Sequence, residues 1–304
     1  MSFASEIKKE LCHLPLETAC CARAELAGIC ALCGTLLSES DGGGLRLRTE
    51  NAAVATRAHG LISELYGIST RRTTVRKKTE GHIYTLHIPS GDGFSRLAKA
   101  LGFVQEDRIK FCADPFITAD SCCRRSFLRG AFLGSGSASA QNSYHFEIET
   151  HYHDLARDIL QLFRDEEILA RTVMRKSSHV IYIKDSEEIA DALAALGATD
   201  AALELYSIKI EKDMKNQVNR RVNCENANMT KTANTAAAQI VAINKVLASP
   251  MAADLTEGVL ELAHLRLNHP EASLSELADM MEKPISKSGV SRRLQKIIDL
   301  AEIL

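Results

Sequence analysis

The first two-thirds of the sequence contains an internal duplication. Five identities recur at a fixed offset of 102 positions: Cys20 with Cys122, Cys21 with Cys123, Arg23 with Arg125, Leu26 with Leu128, and Gly28 with Gly130. Residues 82–86 also resemble residues 179–183. A fixed-offset repeat constrains the architecture, because each copy is expected to fold into the same structural unit. The duplication therefore predicts two similar units, over about residues 20–102 and 122–198.

Each copy is predicted to fold in the order αββαββα. Apolar residues at helical spacing indicate the helices, and alternation of apolar and polar residues indicates the strands. The predicted helices are residues 21–33, 52–66 and 94–101 in the first copy and 123–133, 152–167 and 186–196 in the second. A first hairpin turns at residues 41–44 and 141–143. The second strand pair is predicted at 70–78 with 82–88 and at 170–176 with 179–184.

The composition is that of a globular protein with an aliphatic core. Of the 304 residues, 45% are hydrophobic and 25% are charged, while aromatic residues make up 5% and Trp is absent. These values exclude a disordered chain, a collagen-like repeat and a small disulfide-bonded scaffold. The length suggests two or three domains.

Cysteine usage and hydropathy indicate the compartment. The chain has nine cysteines and no apolar signal-peptide segment after its first residues, which favours reduced thiols in the cytosol. The most apolar stretch, residues 26–37, has 12 residues, fewer than the ~20 that a membrane-spanning helix needs. We therefore expect a cytoplasmic protein with no membrane partner.

The leading helices of the two copies carry a recognisable motif. Residues 26–34 and 128–136 resemble the LAGLIDADG motif of homing endonucleases, in which small residues let two helices pack closely. In that family an acidic residue before the final Gly of each motif holds a catalytic divalent metal ion. The matching positions here are Cys33 and Ser135, and the preceding acid position is also lost, at Cys30 and Leu133. A thiol and a hydroxyl are poor Mg²⁺ ligands, so the resemblance implies the scaffold without metal-dependent cleavage, and no catalytic residue is predicted.

Several cysteines and histidines have a spacing that could suit a metal ion. Cys30 and Cys33 have the spacing of redox or zinc sites but lie in the small-residue helix, where buried packing is favoured. The pairs Cys20-Cys21 and Cys122-Cys123 would come close in space if the helices cross, yet no nearby His completes a zinc set. His151 and His153 are interpreted as solvated or capping residues. We therefore predict no metal and no cofactor.

Arginines cluster on the predicted strands of the first copy. Residues 71–78 hold five cations and no acid. The residues of a possible DNA-facing sheet are Arg46, Arg48, Arg71, Arg72 and Arg76. The alternative is a solvated strand edge that its cations protect against aggregation. The net charge of −2 lends the DNA interpretation no general support.

The sequence becomes rich in Asn and Lys/Arg after about residue 206. Seven Lys or Arg residues face three Asp or Glu residues between positions 206 and 248. Asn and Gln contact phosphates and bases, and Arg and Lys supply charge. The candidate DNA-binding residues of this segment are Arg220, Arg221, Asn226, Asn228 and Lys231. The alternative is a polar linker with side-chain caps.

Three helices are predicted beyond Pro250. The first, residues 255–267, is predicted to begin with a capping box formed by Asp254 and Glu257, and the second with a capping box of Ser273 and Glu276. After a turn at residues 282–286, the third runs from 287 to about 303. Its predicted apolar face consists of Val290, Leu294, Ile297 and Ala301.

The opposite face of this third helix is basic. Residues 283–296 hold five cations and no acid, and the predicted DNA-binding residues are Lys287, Ser288, Ser291, Arg292, Gln295 and Lys296. A helix, a short turn and a basic amphipathic helix form the helix-turn-helix pattern, in which the second helix reads the major groove. The competing interpretation is a helical hairpin with a solvated basic face.

Three segments together resemble the WhiA family. They are the degenerate LAGLIDADG duplication, the Asn-rich residues 218–232 and residues 284–290, Pro-Ile-Ser-Lys-Ser-Gly-Val. The implied fold class is α+β, a duplicated αββαββα LAGLIDADG-like domain (residues 1–205), an Asn-rich basic linker or helix (206–250) and an all-α helix-turn-helix domain (251–304). WhiA proteins are bacterial regulators linked to sporulation in actinomycetes and to cell division and chromosome segregation.

The resemblance implies a sequence-specific, non-enzymatic regulator in the nucleoid. Its expected partner is double-stranded DNA, with other regulators or cell-division proteins as candidate partners and no small-molecule substrate. Two alternatives stay open. One is a residual LAGLIDADG-type endonuclease that uses acids outside the motif. The other is a protein-interaction scaffold for which DNA binding is incidental.

Overall fold

The computed structural model describes residues 2–15, 18–77, 81–105, 108–141 and 143–304. The chain divides into two compact units, Met1–Lys212 and Asp213–Leu304, and each is considered by itself. The domain boundaries suggested above at residues 205 and 250 stay predictions. Lys78, from the basic strand, and Asn142, from the second predicted turn, lie outside the described residues.

The first unit opens with a helix that the sequence analysis did not predict, α1 (Phe3–His13). The Ser2 side chain accepts a hydrogen bond from the backbone amide of Ser5, which caps the helix. Ile7 and Leu11, four residues apart, are fully buried, so one face of α1 belongs to the core.

The predicted αββαββα order is confirmed in both copies. The first copy contains α2 (Ala19–Cys33), β1 (Gly34–Leu37), β2 (Gly44–Thr49), α3 (Ala52–Tyr66), β3 (Arg71–Arg76), β4 (His82–Ile88) and α4 (Asp92–Ala100). A short hairpin of β5 (Val104–Gln105) and β6 (Arg108–Ile109) follows. The second copy contains α5 (Ser121–Ser135), β7 (Gly136–Ser139), β8 (His145–Thr150), α6 (His153–Asp165), β9 (Arg171–Arg175), β10 (Ser178–Ile183) and α7 (Ser186–Leu196).

Each copy forms one four-stranded antiparallel sheet. The strand orders are β1-β2-β4-β3 and β7-β8-β10-β9, so β3 and β9 are edge strands. Alternate residues of the inner strands, Leu45 and Leu47 in β2 and Phe146 and Ile148 in β8, are buried in the core. The residues between them point to the other face, because side chains alternate along a strand.

Helices α2 and α5 contact each other backbone to backbone at the centre of the first unit. A Cβ atom on Gly130 would lie 2.0 Å from the carbonyl oxygen of Glu25, and one on Gly28 would lie 2.2 Å from that of Phe127. No side chain fits at either distance, so the two matched glycines permit the close crossing that the LAGLIDADG-like motif predicts.

The second unit contains the end of a long helix, α8 (Thr199–Leu247), followed by α9 (Glu257–Asn268), α10 (Leu274–Met280) and α11 (Lys287–Ile303). The capping box of Ser273 and Glu276 is confirmed. The one predicted for Asp254 and Glu257 is wrong. Residues 250–254 form a separate 3₁₀ turn, so α9 begins at Glu257, two residues later than predicted. Thr256 is its N-cap, and the Thr256 side chain makes no capping hydrogen bond.

Among the residues that the structure describes, no helix has both the length and the apolar character that crossing a membrane requires.

Candidate nucleic-acid interface

The six residues predicted to read DNA form one exposed stripe on α11. Ser286 caps the helix by accepting a hydrogen bond from the Gly289 amide, with N and Oγ 3.2 Å apart, so the helix starts at Lys287 as predicted. The stripe consists of Lys287, Ser288, Ser291, Arg292, Gln295 and Lys296, all of them exposed. The predicted apolar face, with Val290, Leu294 and Ile297 fully buried, lies on the other side.

The cations of this stripe are not neutralised within the protein. In the described parts of the chain, no ion pair involves the side chains of Lys287, Arg292 or Lys296. Gln295 is partly engaged, because its Nε2 donates to Asp299 Oδ1 at 2.9 Å. The Oγ atoms of Ser286 and Ser288 lie 2.9 Å apart. Within the described residues, the stripe therefore presents three unpaired cations and small hydroxyl groups, with Lys287 and Arg292 in the N-terminal half of the helix.

Arg293 differs from its neighbour Arg292, a distinction that sequence reasoning missed. Its Nη1 donates to the carbonyl oxygen of Gly258 at 3.1 Å, and its side chain lies against Met281. One of the five cations counted between residues 283 and 296 therefore connects α11 to the start of α9. A position between the apolar and the polar face of the helix is the only sequence signal for this role.

A buried arginine fixes the loop that precedes α10. Arg266 is 2% exposed, and its Nη1 donates to the carbonyl oxygen of Ala272 at 2.6 Å, with those of His269 and Pro270 within 3.5 Å. Burial lowers the pKa of Arg266. These bonds hold the loop between α9 and the capping box of Ser273, and so set where α10 begins.

The Asn-rich segment is helical and exposed. Residues 213–235 of α8 are exposed on every side. Helical periodicity places Arg220, Arg221, Asn228 and Lys231 within an arc of about 100°, whereas Asn226 projects from the other side. Arg221 pairs with Glu225 at 3.0 Å, whereas Arg220 and Lys231 form no ion pair with any residue that the structure describes.

The arginines of the first sheet do not all share one face. Arg46 and Arg71 lie opposite His87 from the two neighbouring strands, and Arg48 projects on the same side. Arg72 and Arg76 alternate with Arg71 along β3, and Arg72 lies opposite the buried Leu86. The structure therefore brings together Arg46, Arg48 and Arg71 and separates Arg72 and Arg76 from them.

The matching face of the second sheet carries charges of both signs. Leu45 and Leu47 of β2 correspond to Phe146 and Ile148 of β8, so Arg46 and Arg48 correspond to Glu147 and Glu149. Glu147 pairs with His145 at 2.6 Å and with Arg175 at 3.3 Å. Arg171 and Arg175 of β9 lie on the same face as these two acids. The second sheet therefore presents both signs of charge, whereas a duplex backbone favours cations alone.

The ends of the two motif helices do not suit a divalent metal ion. Cys33 and Ser135 line one cavity together with Glu149 and His151. Burial raises the pKa of Cys33 to about 11, and the Lys8 ammonium only partly offsets this effect. The Ser135 hydroxyl is buried without a hydrogen-bond partner among the described residues. A protonated thiol and a hydroxyl near a lysine are poor partners for Mg²⁺, so the residues do not fit the metal that nucleases of this fold bind.

Family models match almost the whole chain. Residues 19–104 match the WhiA N-terminal LAGLIDADG-like domain, residues 124–215 the WhiA LAGLIDADG-like domain, and residues 218–301 the WhiA C-terminal HTH domain. A protein of Desulforamulus reducens named "Probable cell division protein WhiA" is 39% identical over 313 residues, covering 100% of this chain and 96% of that protein. Its namesake in Clostridium novyi is 37% identical over 312 residues, covering 100% and 98%.

A solved structure agrees with these matches. The crystal structure of full-length DUF199/WhiA from Thermatoga maritima is similar with a TM-score of 0.60 and 27% identity, covering 100% of this chain and 99% of that one. Three WhiA domain models match successive parts of the chain, and the two relatives are 37% and 39% identical to it over its full length. The chain therefore belongs to the WhiA family.

Proposed function

We propose that this protein is a sequence-specific DNA-binding transcriptional regulator of cell division and chromosome segregation, with a role in sporulation in bacteria that sporulate, and that it lacks nuclease activity. The observation that carries the proposal is the unpaired cationic stripe on α11, with Lys287 and Arg292 near the N-terminal end of the second helix of a helix-turn-helix. The name of the relatives, probable cell division protein WhiA, supports the cellular role.

The chemistry of the stripe matches base recognition. Recognition helices contact base edges with residues near their N-terminal end. Arg and Lys donate to O6 and N7 of guanine, and Ser and Gln accept or donate at several bases. We assign base contacts to Lys287, Ser288, Ser291 and Arg292, and contacts farther along the groove to Gln295 and Lys296.

The exposed arc of α8 fits a supporting role on the phosphate backbone. Arg220 and Lys231 supply charge, and Asn228 supplies an amide that donates to phosphate oxygens. Contacts of this kind strengthen binding to all sequences and carry no base specificity. Asn226, on the other side of the helix, is assigned no contact with the same duplex surface.

The mixed charge of the second sheet favours a different role for the first unit. Arg46, Arg48 and Arg71 face solvent in one sheet, while Glu147 and Glu149 occupy the matching strand of the other. A surface with two signs of charge fits a protein partner, such as another regulator or a cell-division protein, better than a duplex. The regulator is proposed to act on the chromosome in the cytoplasm.

DNA binding is tested in two steps. Genome-wide crosslinking or selection from random duplexes identifies bound sites, and the affinities of the full chain and of a fragment of residues 1–205 are then measured for one such site and for a scrambled duplex. The expected result is that the fragment loses the preference for the selected site. A fragment with the full chain's specific affinity would overturn the assignment to the C-terminal residues.

Absence of nuclease activity is tested separately. Supercoiled and linear DNA carrying the selected site is incubated with the full chain and Mg²⁺ or Mn²⁺, and no site-specific product is expected. Glu149 is the acid that lines the same cavity as Cys33 and Ser135. Cleavage that copurifies with the protein and disappears in Glu149→Gln or Glu147→Gln would establish the residual endonuclease instead.

A further inference from the structure

Four cysteines of the duplicated motif converge at the N-terminal ends of α2 and α5. Cys20 and Cys21 lie in the first turn of α2, and Cys122 and Cys123 lie in the first turn of α5. The Sγ atoms of Cys20, Cys21 and Cys123 all lie within 4.8 Å of one another. The Sγ atom of Cys122 lies 4.0 Å from that of Cys123. All four thiols are free.

Packing alone does not account for this cluster. A cysteine that serves as a small apolar residue is buried, whereas Cys122 is exposed and Cys20 is half-buried. Cys21 and Cys123 are buried, so the cluster extends from the helix interface to the surface. Within the described residues, it is the one place where three or more metal-ligating side chains meet.

We propose that Cys20, Cys21, Cys122 and Cys123 bind one Zn²⁺ ion through four thiolates. The sequence analysis rejected a metal here because no His lies nearby, but four cysteines form a complete zinc site without one. With Zn–S distances of about 2.3 Å, tetrahedral geometry places neighbouring sulfurs about 3.8 Å apart. The sulfurs of Cys20, Cys21 and Cys123 exceed this separation by at most about 1 Å. Cys122 Sγ is 4.0 Å from Cys123 Sγ but lies outside that 4.8 Å group, so the exposed Cys122 side chain has to rotate toward the ion to complete the site.

Burial raises the pKa of the Cys123 thiol, and the helix ends act in the opposite direction. Both cysteine pairs lie at helix N-termini, where the helix dipole and unpaired amide groups stabilise thiolates. Arg125 and Arg129 line the same cavity as Cys21 and Cys122, although each of the two arginines also pairs with a carboxylate. Thr18 supplies a contact outside the ligand set, with its Oγ1 3.1 Å from Cys20 Sγ, and such contacts orient metal ligands.

Binding replaces four S–H bonds with four Zn–S bonds and releases four protons, without any change in oxidation state. The ion would join the N-terminal ends of α2 and α5, which already contact each other at Gly28 and Gly130. It therefore crosslinks the two copies of the duplicated fold.

The test uses the full chain, purified in the presence of reductant and without chelator. We expect about one zinc per chain by elemental analysis, and titration of the zinc-free protein with Co²⁺ should produce thiolate-to-cobalt charge-transfer bands together with the visible bands of tetrahedral cobalt. Cys123→Ala should lose the bands. Cys224→Ala, which removes an exposed cysteine of α8, should keep them.

The wild-type measurements decide the question even if Cys123→Ala fails to fold. Zn²⁺ should slow alkylation of four of the nine cysteines in the wild-type chain. Reduced wild-type protein that takes up neither metal, or that binds Co²⁺ without thiolate bands, would overturn the proposal. Formation of disulfides among the four cysteines, with no metal uptake after they are reduced, would also overturn it.

Discussion

Glu25 of the first repeat and Arg129 of the second form an ion pair inside the protein, with Oε2 and Nε 2.7 Å apart. The Glu25 side chain is fully buried, and its other oxygen accepts a hydrogen bond from Arg57 Nε at 2.7 Å. The positions that match Glu25 and Arg129 in the opposite repeats are Phe127 and Ala27. The two copies therefore share a backbone arrangement, but the ion pair that joins them has no symmetric counterpart at the matching positions.

Loss of this buried carboxylate should destabilise the first unit. Glu25→Ala leaves two guanidinium groups without their partner, which costs about 3–5 kcal/mol of unfolding free energy. Denaturant unfolding of the full chain measures the change. Glu187→Ala, which removes an exposed pair with Lys209, serves as the control and should cost less than about 1 kcal/mol. Equal effects of the two substitutions would contradict the role assigned to Glu25.

Gly130→Ala should destabilise the protein even though Ala favours helices. The added methyl group would meet the Glu25 carbonyl oxygen, so the helices have to separate at a cost of about 1–3 kcal/mol, and Leu should cost more. Gly60, in α3, is the matched control, because the nearest atom to its added Cβ is Glu64 Oε1 at 3.9 Å. Gly60→Ala should stabilise the protein by about 0.4–1 kcal/mol. Thermal melts that rank the two variants in the reverse order would place the helix crossing elsewhere.

Arg292 and Arg293 should differ in what their loss affects. Arg292→Ala should weaken binding to the selected DNA site by about 1–3 kcal/mol if it contacts a base, with the melting temperature unchanged, and Lys287→Ala should behave alike. Arg293→Ala removes the bond to Gly258 and should lower the melting temperature of the second unit. Titrations and melts of the same preparations separate the two effects, and a binding loss without destabilisation in Arg293→Ala would refute the distinction.

Glu166 should make stability depend on acidic pH. Burial raises the pKa of its carboxyl group, but hydrogen bonds from Arg125, Ser121 and Arg124 outweigh burial and leave the pKa below its ordinary value. A lowered pKa in the folded state means that the carboxylate stabilises the fold above the pKa of an unfolded glutamate. That contribution disappears as the pH falls through the folded value.

The pH effect is measured as melting temperature between about pH 7 and pH 3, where glutamates titrate. Wild-type protein should lose more stability over the acidic part of this range than Glu166→Gln, whose side chain does not titrate. Parallel curves for the two proteins would show that Glu166 contributes no pH dependence.

Periodicity and repeats in the sequence were sufficient to predict the element order within the two copies. The duplicated motif predicted two αββαββα copies, and the alternation of apolar and polar residues predicted β4 with the bounds that the structure shows. Helix α1 was missed, because its apolar residues, Ile7 and Leu11, make only a short pattern. The capping box at Asp254 was wrong because a 3₁₀ turn occupies those residues.

The sequence by itself determined which residue types stand at the motif's acid positions, Cys33 and Ser135, and which face of α11 is polar. Only the tertiary structure decided that Arg293 binds Gly258, that Glu25 pairs with Arg129, and that four cysteines from two helices come together. The reason is physical. Periodicity along one element determines the side on which a residue projects, whereas its partner is a residue of another element that only the packing of distant segments brings opposite it.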